Sequence, residues 1–306
     1  MKVLCIGNSF SSDSTRYIED IARADNYELK VRNLYIGGCS LERHVKEFKE
    51  NNRSYEYQKD SAPFDYISLR DGLMLDNWDI ITIQQASHYS GKLETYEPYL
   101  GELITIIKKS NPQAKIMFIK TWAYEIDSDH PNFPDYDKSQ IKMYEEITSV
   151  VSTISNMHNI EIIPVGDVIQ RLRHTKEFDY INGGLSLCRD GFHLSFIYGR
   201  LAAALTLYKS FTKRDVSRIN YYPELSDKKL VDVVRKTVWG YSMPVIENDY
   251  LKVTYNLKGA ELESIYDKVA QKELLYEIDD RSWHHKDVII FPFVARLKNG
   301  EYDHFG

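Results

Sequence analysis

No stretch of this 306-residue sequence approaches the roughly 18 consecutive apolar residues that a membrane-spanning helix needs. A soluble protein with no membrane partner is expected. A basic stripe is also missing: Lys and Arg are scattered along the chain, and the formal charge is a mild -6. That removes the electrostatic term on which nucleic-acid binding mostly depends, so nucleic acid is not an expected partner. The cysteines are few. Cys5, Cys39 and Cys188 are odd in number and far apart, a pattern that suits neither a disulfide framework nor a zinc site. They read as buried or incidental thiols in a reducing compartment. The apolar run Val3-Leu4-Cys5-Ile6 is too short for the core of an export signal and runs straight into Gly7-Asn8-Ser9. The fold is therefore expected to start at residue 2, in a cytoplasmic protein.

What the chain does have is alternation. Five short β-rich apolar runs recur through its first two-thirds: Lys2–Gly7, Leu29–Gly37, Trp78–Gln84, Lys115–Trp122 and Ile160–Val165. Segments of helical periodicity separate them. The first, capped at Asp13 or Ser14, carries Tyr17, Ile18, Ile21 and Ala22 on one face, and Leu41–Asn51, Tyr66–Leu75, Glu97–Lys109, Lys138–His158 and Phe196–Phe211 follow. Strands alternating with helices predict an α/β fold: a three-layer α/β/α sandwich on a five-stranded parallel sheet, over residues 1–212. A helical extension and linker, 213–246, holds a further helix at Asp227–Trp239. From 247 to 306 the pattern changes to antiparallel strands without helices, at Lys252–Leu257, Glu261–Tyr266 and Val288–Val294.

In open parallel sheets, ligands bind beyond the carboxyl ends of the strands, so the loops leaving each strand are where chemistry is sought. After the first strand, Gly7-Asn8-Ser9 places a serine where strand turns into helix. Alone, such a serine is more often a turn or cap residue. Far downstream, Asp190-Gly191-Phe192-His193 sets a carboxylate three residues before an imidazole. A carboxylate on Nδ1 leaves Nε2 to take a serine proton, so Ser9, Asp190 and His193 together predict a nucleophilic triad. The Gly37-Gly38-Cys39-Ser40 loop can approach a substrate closely, and the N–H groups of Ser9 and Gly38 are candidate oxyanion donors. Gln84-Gln85-Ala86-Ser87-His88 and Thr121-Trp122-Ala123-Tyr124 leave two further strands at the same edge. Gln85 is a candidate third donor. Asn8, Gln84, Ser87, His88, Trp122 and Tyr124 are candidates to line the pocket.

These blocks resemble the SGNH (GDSL-like) hydrolases over residues 1–212: Gly7-Asn8-Ser9-Phe10-Ser11 is similar to their first block, Gly37-Gly38 to the second and Asp190-Gly191-Phe192-His193 to the last. The resemblance implies an α/β/α (flavodoxin-like) sandwich, a Ser–His–Asp triad, the Ser9 and Gly38 amides as oxyanion donors, and hydrolysis of esters, often acyl groups on carbohydrates. A triad of this kind requires no metal, and no cofactor is expected. The sequence departs from the family at the third block, where an asparagine should follow the third strand. Ungapped, His88 takes that place, whereas Gln85 is the closer chemical substitute. Two rivals share these residues: an acyltransferase with the same triad, and a catalytically silent carbohydrate-binding protein. Gly259-Ala260-Glu261-Leu262-Glu263-Ser264-Ile265 and Phe291-Pro292-Phe293-Val294-Ala295-Arg296-Leu297 resemble the opening of an aldose 1-epimerase (galactose mutarotase-like) sandwich. That resemblance implies a sugar contact for Arg296. The expected partner is a small ester, preferably on a sugar; oligomeric state is not legible.

Overall fold

A computed structural model describes residues 1–241, 245–255 and 262–275. Its elements run β1 (Lys2–Gly7), α1 (Ser9–Thr15), α2 (Ile18–Ala24), β2 (Lys30–Tyr35), α3 (Leu41–Glu50), β3 (Tyr55–Lys59), β4 (Ala62–Ile67), α4 (Leu69–Met74), β5 (Ile80–Ile83), α5 (Tyr99–Ser110), β6 (Lys115–Ile119), α6 (Gln140–His158), β7 (Glu161–Ile163), α7 (Val165–Leu172), α8 (Tyr198–Thr212) and α9 (Lys228–Gly240). The strands form one mixed sheet in the order β4-β3-β2-β1-β5-β6-β7. Strands β2, β1, β5, β6 and β7 are parallel neighbours, the five that apolar runs predict. Such runs belong to strands covered on both faces. Val3, Leu4, Cys5 and Ile6 of the central strand β1 are at most 1% exposed, and all four residues of β5 are buried.

The sheet has seven strands rather than five, because β3 and β4 add an antiparallel hairpin beyond β2. Asp60 and Ser61 turn that hairpin with φ of 51° and 65°, the left-handed pair of a two-residue hairpin turn that Asn-Gly or Asp-Gly normally signals. Asp-Ser gives no such signal. The edge strand β4 is exposed for all but its last residue and contains Pro63, so it lacks an apolar run as well. Tyr66 and Ile67 therefore belong to a strand, and the helix expected from Tyr66 shrinks to α4, started by a capping box between Ser68 and Asp71.

Helices pack in two groups. α1, α2 and α7 each contact α8, while α3, α4 and α5 contact one another. α8 is apolar nearly all round, with Leu201 to Tyr208 buried without a break, as a helix enclosed by its neighbours must be. The compact unit continues past residue 212 to Val238, since α9 buries Val231, Val234 and Val238. The second unit, from Trp239 on, contains a four-stranded antiparallel sheet of β8 (Val245–Glu247), β9 (Leu251–Tyr255), β10 (Leu262–Asp267) and β11 (Lys272–Glu273). β9 and β10 match two of the expected strands. The third, Val288–Val294, and Arg296 lie outside the described residues.

One topological feature positions the site. The chain steps from β1 to β2 on one side and later crosses to β5 on the other. This reversal opens a crevice beyond the carboxyl end of β1.

Candidate active site

At that crevice β1 ends and α1 begins at Ser9 itself, earlier than the cap at Asp13 or Ser14 that periodicity suggests. Asn8 is the N-cap, its Oδ1 accepting from Phe10 N–H at 3.1 Å. Asn8 also donates from Nδ2 to the Cys39 carbonyl at 3.0 Å and accepts from Gln84 Nε2 at 2.9 Å. One buried amide thus joins the loops leaving β1, β2 and β5. Ser9 occupies the first helical position, where a backbone N–H has no intrahelical acceptor. Gly38, next to Cys39 in the loop after β2, has φ of +61° and nothing within 4 Å of where a Cβ would be. A side chain there would be strained and would close open space.

The candidate base lies far downstream in the sequence. Asp190 Oδ2 lies 2.7 Å from His193 Nδ1, and Asp190 Oδ1 accepts from the backbone N–H groups of His193 at 2.7 Å and Phe192 at 3.3 Å. Burial alone pushes the Asp190 carboxyl up, but the His193 side-chain and backbone hydrogen bonds outweigh it and hold the group below the usual carboxylate range. An ionised carboxylate on Nδ1 selects the tautomer whose Nε2 carries the lone pair. The His193 ring sits edge-on to Phe10, the residue after Ser9, with centroids 6.0 Å apart. Trp122 stacks flat on Phe10 at 4.0 Å and donates Nε1–H to the Phe192 carbonyl at 2.8 Å. A single indole therefore braces both the serine turn and the histidine loop.

The other expected pocket residues divide. Asn8, Gln84, Gln85, Trp122 and Tyr124 are all buried, at most 2% exposed, and they build the floor under the site rather than its lining. Gln85 accepts at Oε1 from the N–H groups of Leu41 (3.0 Å) and Ala86 (2.8 Å). Its Nε2 donates to the Thr95 carbonyl at 3.0 Å and Thr95 Oγ1 at 3.2 Å. Both amide hydrogens are spent, so Gln85 has none to offer an oxyanion, against the sequence expectation. Ser87 and His88 keep partial exposure, and Ser87 Oγ lies 2.8 Å from Tyr124 Oη. Burial pushes the three thiols up to about 12, so Cys39, beside Gly38, is no nucleophile. Among the described residues no three His, Cys, Asp or Glu side chains are grouped to hold a metal ion.

A family model described as a domain of unknown function, DUF4886, matches residues 2–240. The chain belongs to the DUF4886 family. A crystal structure of a DUF4886 protein from Bacteroides uniformis is 34% identical over 78% of this chain and 93% of that one, with a TM-score of 0.72. Looser similarities include an acetyl xylan esterase (16% identity, 69% and 99% coverage, TM-score 0.48) and an acetylxylan esterase from Geobacillus stearothermophilus (16%, 69% and 92%, 0.42). Those two overlaps are too loose to bear on activity. No curated protein matches in sequence. The family match stops at Gly240, so it lends no support to a mutarotase-like C-terminal part.

In this DUF4886 chain the structure adds residues that sequence reasoning missed. His130, on the long loop between β6 and α6, packs against Tyr124 (4.6 Å) and Phe192 (4.8 Å) and lies 6.1 Å from His88, centroid to centroid. Phe192 touches His193 in turn, at 4.2 Å. Rings thus run from His193 through Phe192 and His130 to His88. Burial holds both His88 and His130 below the usual histidine range, helped at His130 by the charge of His193. Nothing local in Ser128-Asp129-His130-Pro131 distinguishes this histidine, so only the folded loop identifies it. Asp13 has a signal: it lies four residues after Ser9, on the same face of α1 once that helix is taken to start at the serine.

Proposed function

We propose that this protein is a serine ester hydrolase of the SGNH type, acting on a short acyl ester, acetyl for preference, carried by a carbohydrate or a related small molecule. The observation that carries the reading is the Asp190–His193 pair at 2.7 Å, with its imidazole set beside the turn that presents Ser9 at the head of α1. His193 Nε2 takes the Ser9 proton as Oγ attacks the ester carbonyl. Asp190 orients the ring and stabilises the imidazolium that forms. The Ser9 and Gly38 N–H groups face the developing oxyanion. His193 then protonates the departing alkoxide, and water, activated by the same imidazole, releases the acid from the acyl-enzyme.

A sugar is favoured over a bare alkyl ester because the flat rings of His88, His130 and Phe192 beside the base offer stacking faces to the C–H faces of a pyranose. The three buried, unpaired thiols suit a reducing compartment such as the cytoplasm. The test is labelling with a fluorophosphonate, which reacts only with an activated serine, together with turnover of an aryl acetate. Ser9→Ala should abolish labelling, and Ser9→Ala and His193→Ala should each lower turnover by roughly 10^3- to 10^6-fold while leaving the protein folded. Wild-type turnover in either folded variant would remove the assignment.

A further inference from the structure

The loop that carries Asp190 and His193 has a closed neck. Cys188 and Leu194 pair as an antiparallel bridge, Arg189 N–H donates to the His193 carbonyl at 2.9 Å, and Ser195 N–H donates to the Leu187 carbonyl at 2.7 Å. Asp190, Gly191 and Phe192 form the tip. Gly191 allows the tight reversal with φ of +81°, and its carbonyl accepts from Glu125 N–H at 2.7 Å. The Asp190–His193 contact is local, three residues apart, and the tip alone makes it. What no local contact sets is the distance from this tip to Ser9, more than 180 residues away in sequence.

Asp13 bridges that gap. It shares a face of α1 with Ser9 and is only 1% exposed. Its two carboxylate oxygens accept from Arg189 Nη1 at 3.1 and 2.9 Å, and one of them also accepts from Leu194 N–H at 3.0 Å. Arg189 Nη1 donates to the Leu194 carbonyl as well. Both sides of the neck are therefore tied to one carboxylate. From α8, Arg200 adds Nε at 2.8 Å and Nη2 at 2.7 Å, and both guanidiniums lie against the Phe196 ring at 4.9 Å. Buried ion clusters of this kind often add little stability over apolar packing, while they do fix register.

We propose that Asp13 is a positioning residue: it sets the register between the helix face that presents Ser9 and the loop that presents His193. The inference rests on Ser9, Asp190 and His193 being the triad. Two arginines hold Asp13, but only Arg189 belongs to the loop, and this separates positioning from bulk stability. In the full-length protein, Asp13→Asn and Arg189→Met should each lower kcat on an aryl acetate, and the rate of fluorophosphonate labelling, by about 10- to 100-fold with KM little changed, the scale of an ångström-sized misplacement. Arg200→Met should lower the melting temperature comparably, yet keep kcat within about twofold well below melting. Arg189→Lys should regain most of the activity, because a single nitrogen makes all the side-chain hydrogen bonds of Arg189 to Asp13 and Leu194. Wild-type kcat in folded Asp13→Asn would overturn the proposal, as would equal losses of kcat in Arg189→Met and Arg200→Met. Should Asp13→Asn not fold, the arginine pair decides. Absence of Ser9 labelling in the wild type would instead sink the triad reading, a distinguishable failure.

Discussion

Acid should unfold this protein earlier than its carboxylates alone require, and His44 is the reason. It lies in α3 beneath the Gly38–Ser40 loop, fully buried, with Nδ1 2.8 Å from Tyr55 Oη and 3.4 Å from Cys39 Sγ. Nε2 is buried with no hydrogen-bond partner. A protonated ring carries an N–H on both nitrogens, and the one on Nε2 would meet no acceptor. Burial, helped by the Arg43 charge, holds the group at about 3 against an ordinary 6.5. The folded value is depressed, so below pH 6.5 the unfolded chain binds a proton that the folded chain refuses. Stability from this source is complete above pH 6.5 and is lost as pH falls toward 3. At pH 5 the loss is about 2 kcal/mol, from a gap of about 1.5 pH units below the unfolded value. Urea unfolding of wild type and His44→Leu at pH 7.5, 6 and 5 measures it. The variant should start less stable, since Tyr55 Oη loses its partner, but its decline between pH 7.5 and 5 should be shallower by about 2 kcal/mol. Parallel declines in the two proteins would refute the reasoning.

Three more outcomes follow from the site. Asp190→Asn should lower aryl-acetate turnover less than Ser9→Ala or His193→Ala, because it leaves a ring that is misoriented but present; equal turnover to wild type would assign the orienting role to another carboxylate. Gln85→Ala should cost about 3 kcal/mol of stability, because it strands the buried N–H groups of Leu41 and Ala86, while kcat measured well below melting falls less than tenfold. A loss of 10^2-fold or more at unchanged KM would restore the oxyanion role to Gln85. Ending the chain at Tyr241 should leave turnover within about twofold of the full protein, since every residue assigned to the chemistry lies in the unit ending at Val238; a tenfold loss would give the C-terminal unit a part in the pocket.

The parallel part of the sheet was legible because burial on both faces writes itself into sequence as continuous apolar runs, as in Val3–Ile6 and Ile80–Ile83. The antiparallel hairpin was not. Its turn uses Asp60-Ser61 where glycine is the usual signal, and its edge strand faces solvent, so neither composition nor alternation marks it. The first helix shows a different limit. Asn8-Ser9-Phe10-Ser11 is polar enough to read as loop, whereas Asn8 Oδ1, itself held by Gln84 from the loop after β5, caps a helix that begins at Ser9. Tertiary contacts decided that boundary, not propensity.

The same division runs through the site. Asp190 and His193 are three residues apart, so their 2.7 Å contact is a local fact that spacing can reveal. An amide such as Gln85 is different: whether its hydrogens are free depends on Thr95, and on nothing that precedes it in the strand. Chemical type suggested a donor, and long-range hydrogen bonding used the donor up. Trp122 and Tyr124 follow the same logic, since aromatics at a strand end can wall a pocket or fill the core beneath it. Here each has its polar atom engaged inside, on the Phe192 carbonyl and Ser87 Oγ, and a buried ring whose polar tip is satisfied internally belongs to the scaffold. His88 and Phe192 keep partial exposure instead. A polar residue type at a strand end therefore names what a site could contain. Which of those groups is free to act is fixed by who else claims their hydrogens, and in this protein that claim is made by Thr95, Asn8 and Asp13.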